Sequence, residues 1–272
     1  KILEDNLICP TTGFNIGASN IVLDCAGFNI TYSTSGVLSY GVYNTGFDNV
    51  TVKNCNIIEG NFTTDRKYGI RFLNSTNSSL VNNTITTIGQ YGYGILLSNF
   101  SKSFIINNSI NTNGTLGVGI ILLANSDLNN IINNSITTSG GGAGAFWVDL
   151  SSGSNITGNN INVTGNNADA FRLYKDSVGN VFSDNIILEG TGYGIRLNSN
   201  SGLYPENNTF VNNSFSNITS YDFRIQNVGT NGTWLVDQPV NSYYIDESIV
   251  YFKDSSYGMV EFLEGISGLG SN

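Results

Sequence analysis

The sequence predicts an all-β fold, a parallel β-helix (solenoid) of about nine or ten rungs of roughly 25 residues each. The evidence for this fold is two series of residues that repeat along the chain. The first is a small residue followed by an apolar one, at Gly69-Ile70, Gly94-Ile95, Gly119-Ile120, Ala145-Phe146, Ala170-Phe171 and Gly194-Ile195. The second is an Asn-rich word that recurs at the same step and includes IINNSI twice, at 105–110 and 131–136. A catalytic loop has no need of such duplication, whereas a stacked scaffold does.

Each repeat contains short β-type runs, such as GIRFL, SLV, SFII and NIIL, between clusters of Asn, Ser and Gly. These runs are too short and too rich in Asn, Thr and Gly to form helices. Stacking the units about 4.8 Å apart pairs their backbones in parallel and buries their apolar residues together.

The repeat extends over most of the chain, and we predict two regions. Residues 1–233 form the β-helix with an N-terminal cap, because a solenoid must cover its terminal strand edges. Residues 234–272 contain fewer Asn and alternate apolar and polar residues, which predicts less regular strands that form a C-terminal cap or a junction to further chain. The sequence starts at Lys1 without a signal-like segment, so we expect a mature protein or a fragment.

Equivalent positions of successive units define three apolar columns that we expect to point inward. They are Leu80, Ile105, Ile131, Ile156, Val181 and Phe210; Ile85, Ile110, Ile136, Ile161, Ile186 and Phe215; and Ile70, Ile95, Ile120, Phe146, Phe171 and Ile195. Between the first two columns every unit has an amide or an acid. We predict that these side chains form a structural ladder from rung to rung: Asn83, Asn108, Asn134, Asn159, Asp184 and Asn213. We also expect this column to tolerate the left-handed backbone of a sharp bend.

The segments NIVLDCAGFNI (20–30) and NVTVKNCNI (49–57), together with the GI…N…NN[ST]I units, resemble the right-handed parallel β-helix repeat family. That family includes the pectate lyase-like enzymes, the NosD-like periplasmic proteins and β-helix surface proteins of archaea. The resemblance implies a right-handed, single-stranded helix. It leaves function open, because the same scaffold carries lyases, hydrolases, adhesins and passive surface proteins.

Composition excludes several functional classes. The net charge of −9 argues against nucleic acids and anionic membrane surfaces, which are bound by basic groups. The absence of histidine removes the usual catalytic triads and zinc sites. No apolar run approaches the ~20 residues of a transmembrane helix. We therefore predict no metal and no cofactor; surface Ca²⁺ is compatible with the sequence but is not predicted.

The three cysteines lack the paired spacing of a zinc or redox motif. We expect one disulfide, which pairs Cys25 with Cys9 or with Cys55, and one free thiol. A disulfide indicates an exported protein.

Catalysis requires side chains that converge, and the acids of this chain fall at different phases of the repeat. Asp149 with Asp169, or Asp149 with Asp176, are the plausible near neighbours among them. Because a glycosidase needs two carboxylates within about 5–10 Å, we predict no catalytic residue and no enzymatic activity.

One outward column stands out because it is rich in arginine: Arg71, Leu96, Ile121, Trp147, Arg172, Arg196 and Arg224. Alternation along a strand directs these residues away from the core. Three interpretations stay open. The column forms an assembly contact through exposed Leu96, Ile121 and Trp147, it is ordinary surface, or it binds a glycan or acidic polymer.

Asn-x-Ser/Thr triplets are abundant, and four of them recur at one outward position, at Asn82, Asn107, Asn133 and Asn212. We expect these to be N-glycosylation sites of an exported glycoprotein.

The function that we predict is a non-enzymatic extracellular structural protein, located at the cell surface, in a surface layer or in a filament. Its partners would be other copies of itself and covalent N-glycans, with no nucleic acid and no transmembrane segment. The alternative is a β-helix that binds or cleaves a polysaccharide.

Overall fold

A computed structural model describes residues 1–61, 66–198, 203 and 205–220, and beyond these the strand segments 223–226, 233–237, 242–245, 249–254, 259–263 and 268–271. The described residues form strands and turns without an α-helix, so no described helix is long and apolar enough to cross a membrane.

The strands of the first half are, in chain order, β1 (Leu7–Ile8), β2 (Phe14–Asn15), β3 (Val22–Asp24), β4 (Asn29–Tyr32), β5 (Tyr40–Thr45), β6 (Thr51–Lys53), β7 (Asn56–Glu59), β8 (Tyr68–Thr76), β9 (Ser79–Val81), β10 (Thr84–Thr87), β11 (Ile95–Ser101), β12 (Phe104–Ile106), β13 (Ser109–Thr112), β14 (Val118–Leu123) and β15 (Asn130–Ile132).

Those of the second half are β16 (Ser135–Thr138), β17 (Gly144–Asp149), β18 (Asn155–Thr157), β19 (Asn160–Val163), β20 (Phe171–Tyr174), β21 (Val181–Ser183), β22 (Ile186–Gly190), β23 (Ile195–Asn198), β24 (Thr209–Val211), β25 (Ser214–Phe215), β26 (Phe223–Gln226), β27 (Thr233–Asp237), β28 (Ser242–Ile245), β29 (Ile249–Asp254), β30 (Met259–Leu263) and β31 (Gly268–Ser271).

Up to β27, every third strand belongs to the same sheet, which is the topology of a three-sided solenoid. Sheet 1 runs from β1 to β25 and has nine strands, all parallel. Sheet 2 begins at β2 and sheet 3 at β3; each has eleven strands, of which the last, β31 and β30 respectively, is antiparallel. The right-handed parallel β-helix of nine or ten rungs is therefore confirmed.

The interior is filled by stacked apolar columns, as predicted, but two members were wrong by one residue. Phe182 pairs with Ile156, and Ile187 pairs with Ile161; both are fully buried. Val181 and Ile186 instead lie on the outer surface, 38% and 47% exposed. The step from Ile156 to its partner is one residue longer than the preceding one, and in a strand a one-residue shift moves a side chain to the opposite face.

The amide ladder lies at the corner between sheets 3 and 1, and Asp184 is not part of it. Its members are Asn83, Asn108, Asn134, Asn159, Asn185 and Asn213, each at most 2% exposed. From Asn83 onward, each side-chain Nδ2 donates to the Oδ1 of the next rung's Asn at 2.7–3.0 Å. Asp184 is exposed because the same one-residue step displaces it to the position before the ladder.

The left-handed backbone also lies one residue before the ladder rather than in it. Positive φ angles of 51–65° occur at Asn82, Asn107, Asn133, Gly158, Asp184 and Asn212. Asn, Asp and Gly tolerate this conformation best, so the exposed residue makes the bend and the next residue turns inward.

A second ladder, which the sequence did not suggest to us, lies at the corner between sheets 2 and 3. It comprises Ser78, Ser103, Asn129, Ser154, Asn180 and Asn208. Each backbone N–H donates to the side-chain oxygen of the following rung at 2.9–3.1 Å. Buried polar groups at both corners are thus paired, as a dry interior requires.

A disulfide between Cys25 and Cys55 joins the first two rungs at the corner of the first ladder, with Cα atoms 4.7 Å apart. The backbone N–H of Cys55 donates to Asn83 Oδ1 at 3.1 Å, so Cys55 occupies the ladder position of its rung. Cys9 has a free thiol whose pKa is raised by burial. A covalent bond therefore replaces amide contacts at the N-terminal end of the ladder.

Candidate functional site

The predicted arginine-rich column lies on the outer face of sheet 2. Arg71, Leu96, Ile121, Trp147, Arg172, Arg196 and Arg224 are successive register partners on strands β8, β11, β14, β17, β20, β23 and β26. The column therefore runs along the helix axis, with neighbouring members about 4.8 Å apart.

The centre of this column is not an exposed apolar patch, which corrects the sequence-based expectation. Leu96 is 6% exposed and Ile121 is 1% exposed, whereas Trp147 and the arginines are half-buried. Alternation correctly directs Leu96 and Ile121 away from the core, but it cannot show that neighbouring protein covers them. The covered centre separates an aromatic cluster near β8 from a charged cluster near β20.

Asp169 organises the charged cluster, which we define as Trp147, Asp149, Asp169, Arg172, Tyr174, Lys175, Tyr193, Arg196 and Arg224. Its Oδ2 accepts from Arg172 Nε at 2.9 Å and from Arg172 Nη2 at 2.7 Å, a two-pronged contact. Arg196 Nη1 lies 3.5 Å from the same oxygen, and the backbone N–H of Tyr193 donates to Oδ1 at 3.0 Å. The carboxylate is 1% exposed, so it holds two partly exposed guanidinium groups from beneath.

Tyr193 lies between the next two arginines of the column. The Cζ of Arg196 is 5.7 Å from the ring centroid, that of Arg224 is 4.6 Å away, and Arg224 Nη1 donates to the Tyr193 hydroxyl. Stacking on an aromatic ring keeps a guanidinium in place without neutralising its charge. The cluster combines four cationic side chains with two carboxylates, on a chain of net charge −9.

Asp149 forms the other edge of the charged cluster. Lys175 Nζ lies 3.2 Å from its Oδ2, and the rings of Trp147 and Tyr174 are 5.8 Å apart. Asp149 Oδ1 and Trp147 Nε1 are buried without a hydrogen-bond partner among the described residues.

Of the two carboxylate pairs that the sequence suggested, the structure separates Asp149 from Asp169. Asp169 precedes β20 and is level with Gly144 of the neighbouring rung. Asp149 lies five residues beyond Gly144, so the backbones of Asp149 and Asp169 are about 17 Å apart at the rise of a strand. Each carboxylate is also committed to an ion pair. Asp176 is exposed at the corner after β20.

The aromatic cluster, which we define as Tyr40, Tyr43, Tyr68, Arg71 and Tyr93, was missed by the sequence analysis. Tyr40 and Tyr68 stack with ring centroids 5.6 Å apart, and Tyr68 and Tyr93 stack at 4.9 Å with an angle of 5° between planes. Arg71 Cζ lies 5.0, 5.6 and 5.8 Å from the rings of Tyr40, Tyr43 and Tyr68. Burial raises the pKa of Tyr68 and raises that of Tyr93 to about 12, so both phenols are neutral at ordinary pH.

A sequence signal exists for three of these tyrosines and for Tyr193 of the charged cluster, because each of the four precedes a Gly-apolar pair. The words are Tyr40-Gly41-Val42, Tyr68-Gly69-Ile70, Tyr93-Gly94-Ile95 and Tyr193-Gly194-Ile195. A Cβ atom on Gly69 would lie 2.7 Å from the carbonyl oxygen of Gly94, so glycine at 69 permits close stacking of these two rungs, although Ala145 and Ala170 occupy the equivalent position in later rungs. The residue before the glycine then points outward.

The four predicted glycosylation positions share one environment. Asn82, Asn107, Asn133 and Asn212 are exposed, and so are the hydroxyl residues two positions on, Thr84, Ser109, Ser135 and Ser214. They lie at the corner between sheets 3 and 1, away from sheet 2.

Comparison with protein families identifies the family. The model described as "Periplasmic copper-binding protein (NosD)" matches residues 4–163 and 93–251, which together cover most of the chain. The chain belongs to the NosD family. The resemblance to β-helix repeat proteins is thereby confirmed, and the periplasmic description agrees with a secreted or periplasmic protein. A comparison with curated protein sequences found no match.

Copper does not fit the side chains of this NosD-family chain. Copper prefers imidazole, thiolate and thioether ligands, whereas the sequence has no His and one Met, and Cys9 is its one cysteine outside the disulfide. Among the described residues, no three His, Cys, Asp or Glu side chains form a group that could hold a metal ion.

Solved structures with a similar fold include carbohydrate-active enzymes. The periplasmic alginate epimerase AlgG aligns with a TM-score of 0.52 and 15% identity over 84% of this chain and 50% of that one. DFA-IIIase from Arthrobacter chlorophenolicus A6 aligns with a TM-score of 0.50 and 12% identity over 83% and 66%. The chain thus spans about half the length of the epimerase, and at these identities the similarity shows the fold alone.

Proposed function

We propose that this NosD-family chain is a secreted or periplasmic protein that binds an acidic polysaccharide on the outer face of sheet 2 without cleaving it. The observation that carries the proposal is the register of Arg172, Arg196 and Arg224, which places three guanidinium groups on successive rungs. Guanidinium groups bind carboxylates through paired hydrogen bonds, and their partial burial strengthens that attraction. The carbohydrate-active enzymes among the structural neighbours are compatible with this class of ligand.

Binding without cleavage is supported by the geometry of the acids. On this face Asp149 and Asp169 are far apart and each is paired with a cation, so neither is placed beside the other as acid and base. We therefore expect the protein to leave the polymer intact.

The test compares two double variants that lose the same charge. We expect Arg172→Ala with Arg196→Ala to weaken binding of a uronic-acid polymer at least about tenfold, which corresponds to about 1.4 kcal/mol. Lys53→Ala with Lys102→Ala removes two cations elsewhere and should leave the affinity nearly unchanged. A neutral glucan should bind to neither protein.

Salt provides a second readout, because raising the ionic strength from about 0.05 to about 0.3 M shortens the screening length and should weaken binding by the native protein. Equal losses in the two double variants, or no binding by the native protein, would contradict the proposal. Accumulation of shortened polymer during the assay would contradict binding without cleavage.

A structural role at the cell surface is the second candidate, and the two interior ladders favour it. They tie six successive rungs together by side-chain hydrogen bonds, which suits a stiff, durable scaffold. Exposed apolar residues away from sheet 2, including Phe104, Val181 and Ile186, are candidate contacts between copies. Electron microscopy of the native protein should then show polymers or a lattice, and mass spectrometry should find glycans at Asn82, Asn107, Asn133 or Asn212. Monomeric, unglycosylated protein would exclude this role.

A further inference from the structure

We propose that the aromatic cluster is a second binding site for the same ligand, so that one acidic polysaccharide chain runs along the helix axis and contacts both clusters. This inference rests on the proposed function of the charged cluster. It specifies the ligand as a linear chain long enough to reach from Arg172 to Arg71, which are four rungs apart in one column, or about 19 Å.

Arg71 is the first reason to expect a ligand. It forms no ion pair with a carboxylate among the described residues, and its Nε is buried without a hydrogen-bond partner. Its Nη1 donates to the Tyr40 hydroxyl, and three tyrosine rings surround the guanidinium. The rings fix the cation but do not neutralise it, so the site lacks an anion.

The tyrosine hydroxyls are the second reason. Because the rings of Tyr40, Tyr68 and Tyr93 stack on one another along the axis, their faces are occupied by neighbouring rings. The hydroxyls of Tyr68 and Tyr93 have no hydrogen-bond partner among the described residues, and neither hydroxyl oxygen is fully buried. Neutral phenols can both donate and accept, as sugar hydroxyls and carboxylates require.

The covered centre of the face is compatible with a continuous ligand. Leu96 and Ile121, which separate the two clusters, are uncharged and covered, so a chain that bridges the clusters passes over this stretch without direct contact to either side chain. Two sites on one rigid face turn the second contact into an intramolecular step, which raises affinity without a new kind of interaction.

The experiment measures affinity for uronic-acid oligomers of two and of ten or more sugars. The native protein should bind the long oligomer at least about a hundredfold more tightly than the disaccharide. Tyr68→Phe with Tyr93→Phe keeps the stacked rings but removes the hydroxyls, and it should weaken binding of the long oligomer about tenfold or more, with no change for the disaccharide. Arg71→Gln should act in the same way.

Tyr32→Phe is the matched control, since it removes a hydroxyl that is buried inside the solenoid and should alter neither affinity. Circular dichroism melting verifies that each variant is folded. If the native protein binds long oligomers through Arg172 and Arg196 but the variants at Tyr68, Tyr93 and Arg71 bind them equally well, the second site is wrong and the proposed function stands. If the native protein binds no oligomer, both are wrong.

Discussion

Glu59 and Lys67 form an ion pair whose two side chains are completely buried, with Lys67 Nζ 3.4 Å from Glu59 Oε1. The other carboxylate oxygen accepts from the backbone N–H groups of Ile88 and Gly89 at 2.7 and 3.0 Å. Glu59 thus connects its own rung to the loop of the next rung. The nearby Tyr32 hydroxyl is buried, and burial together with the Glu59 charge raises its pKa well above the usual value.

Glu59→Gln should destabilise the protein by about 3–5 kcal/mol, because it leaves the Lys67 ammonium buried without a counter-charge. Adding Lys67→Met should recover most of that loss, since the uncompensated cation is removed. Urea unfolding of the single and double variants measures both values. A loss below about 1 kcal/mol for Glu59→Gln would show that the pair is solvated.

Tyr93 predicts how stability changes at alkaline pH. Its pKa is about 12 in the folded protein, against 10.0 for an ordinary tyrosine, chiefly because it is partly buried and also because Tyr68 is close. A raised pKa favours the neutral phenol in the folded state. The stabilisation is therefore complete below pH about 10 and is lost as the pH rises from about 10 to about 12. Urea midpoints across this range should fall for the native protein and fall less for Tyr93→Phe; equal slopes would contradict the prediction.

At the scale of structural elements, two neighbouring asparagines have different roles: Asn134 belongs to the first ladder, and Asn133 forms the bend before it. Asn134→Ala removes hydrogen bonds to Ile105 O and Asn159 Oδ1, and it leaves the backbone N–H and one side-chain N–H of Asn108 without an acceptor. We expect a loss of about 2–5 kcal/mol, because buried polar groups lose their partners. Asn133→Gly, at a left-handed position with φ of 54°, should change stability by less than about 1 kcal/mol. Similar losses in the two variants would show that the ladder is not what stabilises the corner.

The position of the disulfide at the end of the first ladder predicts the relative stability of two double variants. Reduction of Cys25–Cys55, which are 30 residues apart, should cost about 3–4 kcal/mol. Without the disulfide, Cys25→Ala with Cys55→Asn should be about 1 kcal/mol more stable than Cys25→Ala with Cys55→Ser, because an asparagine at 55 can donate to Asn83 Oδ1. Denaturant unfolding under reducing conditions compares the two; a more stable serine variant would contradict the assigned ladder position.

The elements were predictable because the repeat fixes which residues stack. The three apolar columns and most of the first ladder follow from a step of about 25 residues, and the structure contains them. The prediction fails at Val181, Asp184 and Ile186, because it assumes a step of 25 residues into this rung and the structure has a step of 26. The second ladder contains both Ser and Asn, so residue identity alone does not reveal it, although both side chains offer an oxygen acceptor.

At the scale of the whole molecule, the site was less predictable than the fold. The sequence places the arginines in one outward column, but it does not reveal that Asp169 holds two of them or that Leu96 and Ile121 are covered. Those features depend on contacts between rungs and on the loops between sheets 1 and 2. The pairing of charges on this face could therefore be recognised only in the three-dimensional structure.

The outer face of sheet 2 concentrates cationic and aromatic side chains that the solenoid itself does not need. Sheet 1 presents mainly Asn, Ser and Thr outward, such as Thr84 and Ser109, whereas sheet 3 combines such residues with apolar ones, such as Phe104 and Val181. Among the described strands, the clusters of arginine and tyrosine lie on sheet 2. This difference is the basis for proposing that the ligand binds to sheet 2.

A crystal structure of the protein with a uronic-acid oligomer of ten or more sugars tests this assignment most directly. We expect the oligomer to lie along the outer face of sheet 2, with its carboxylates at Arg172 and Arg196 and its far end at Arg71. An oligomer bound on the face of sheet 1 or sheet 3, or bound across the strands without contact to these arginines, would contradict the account.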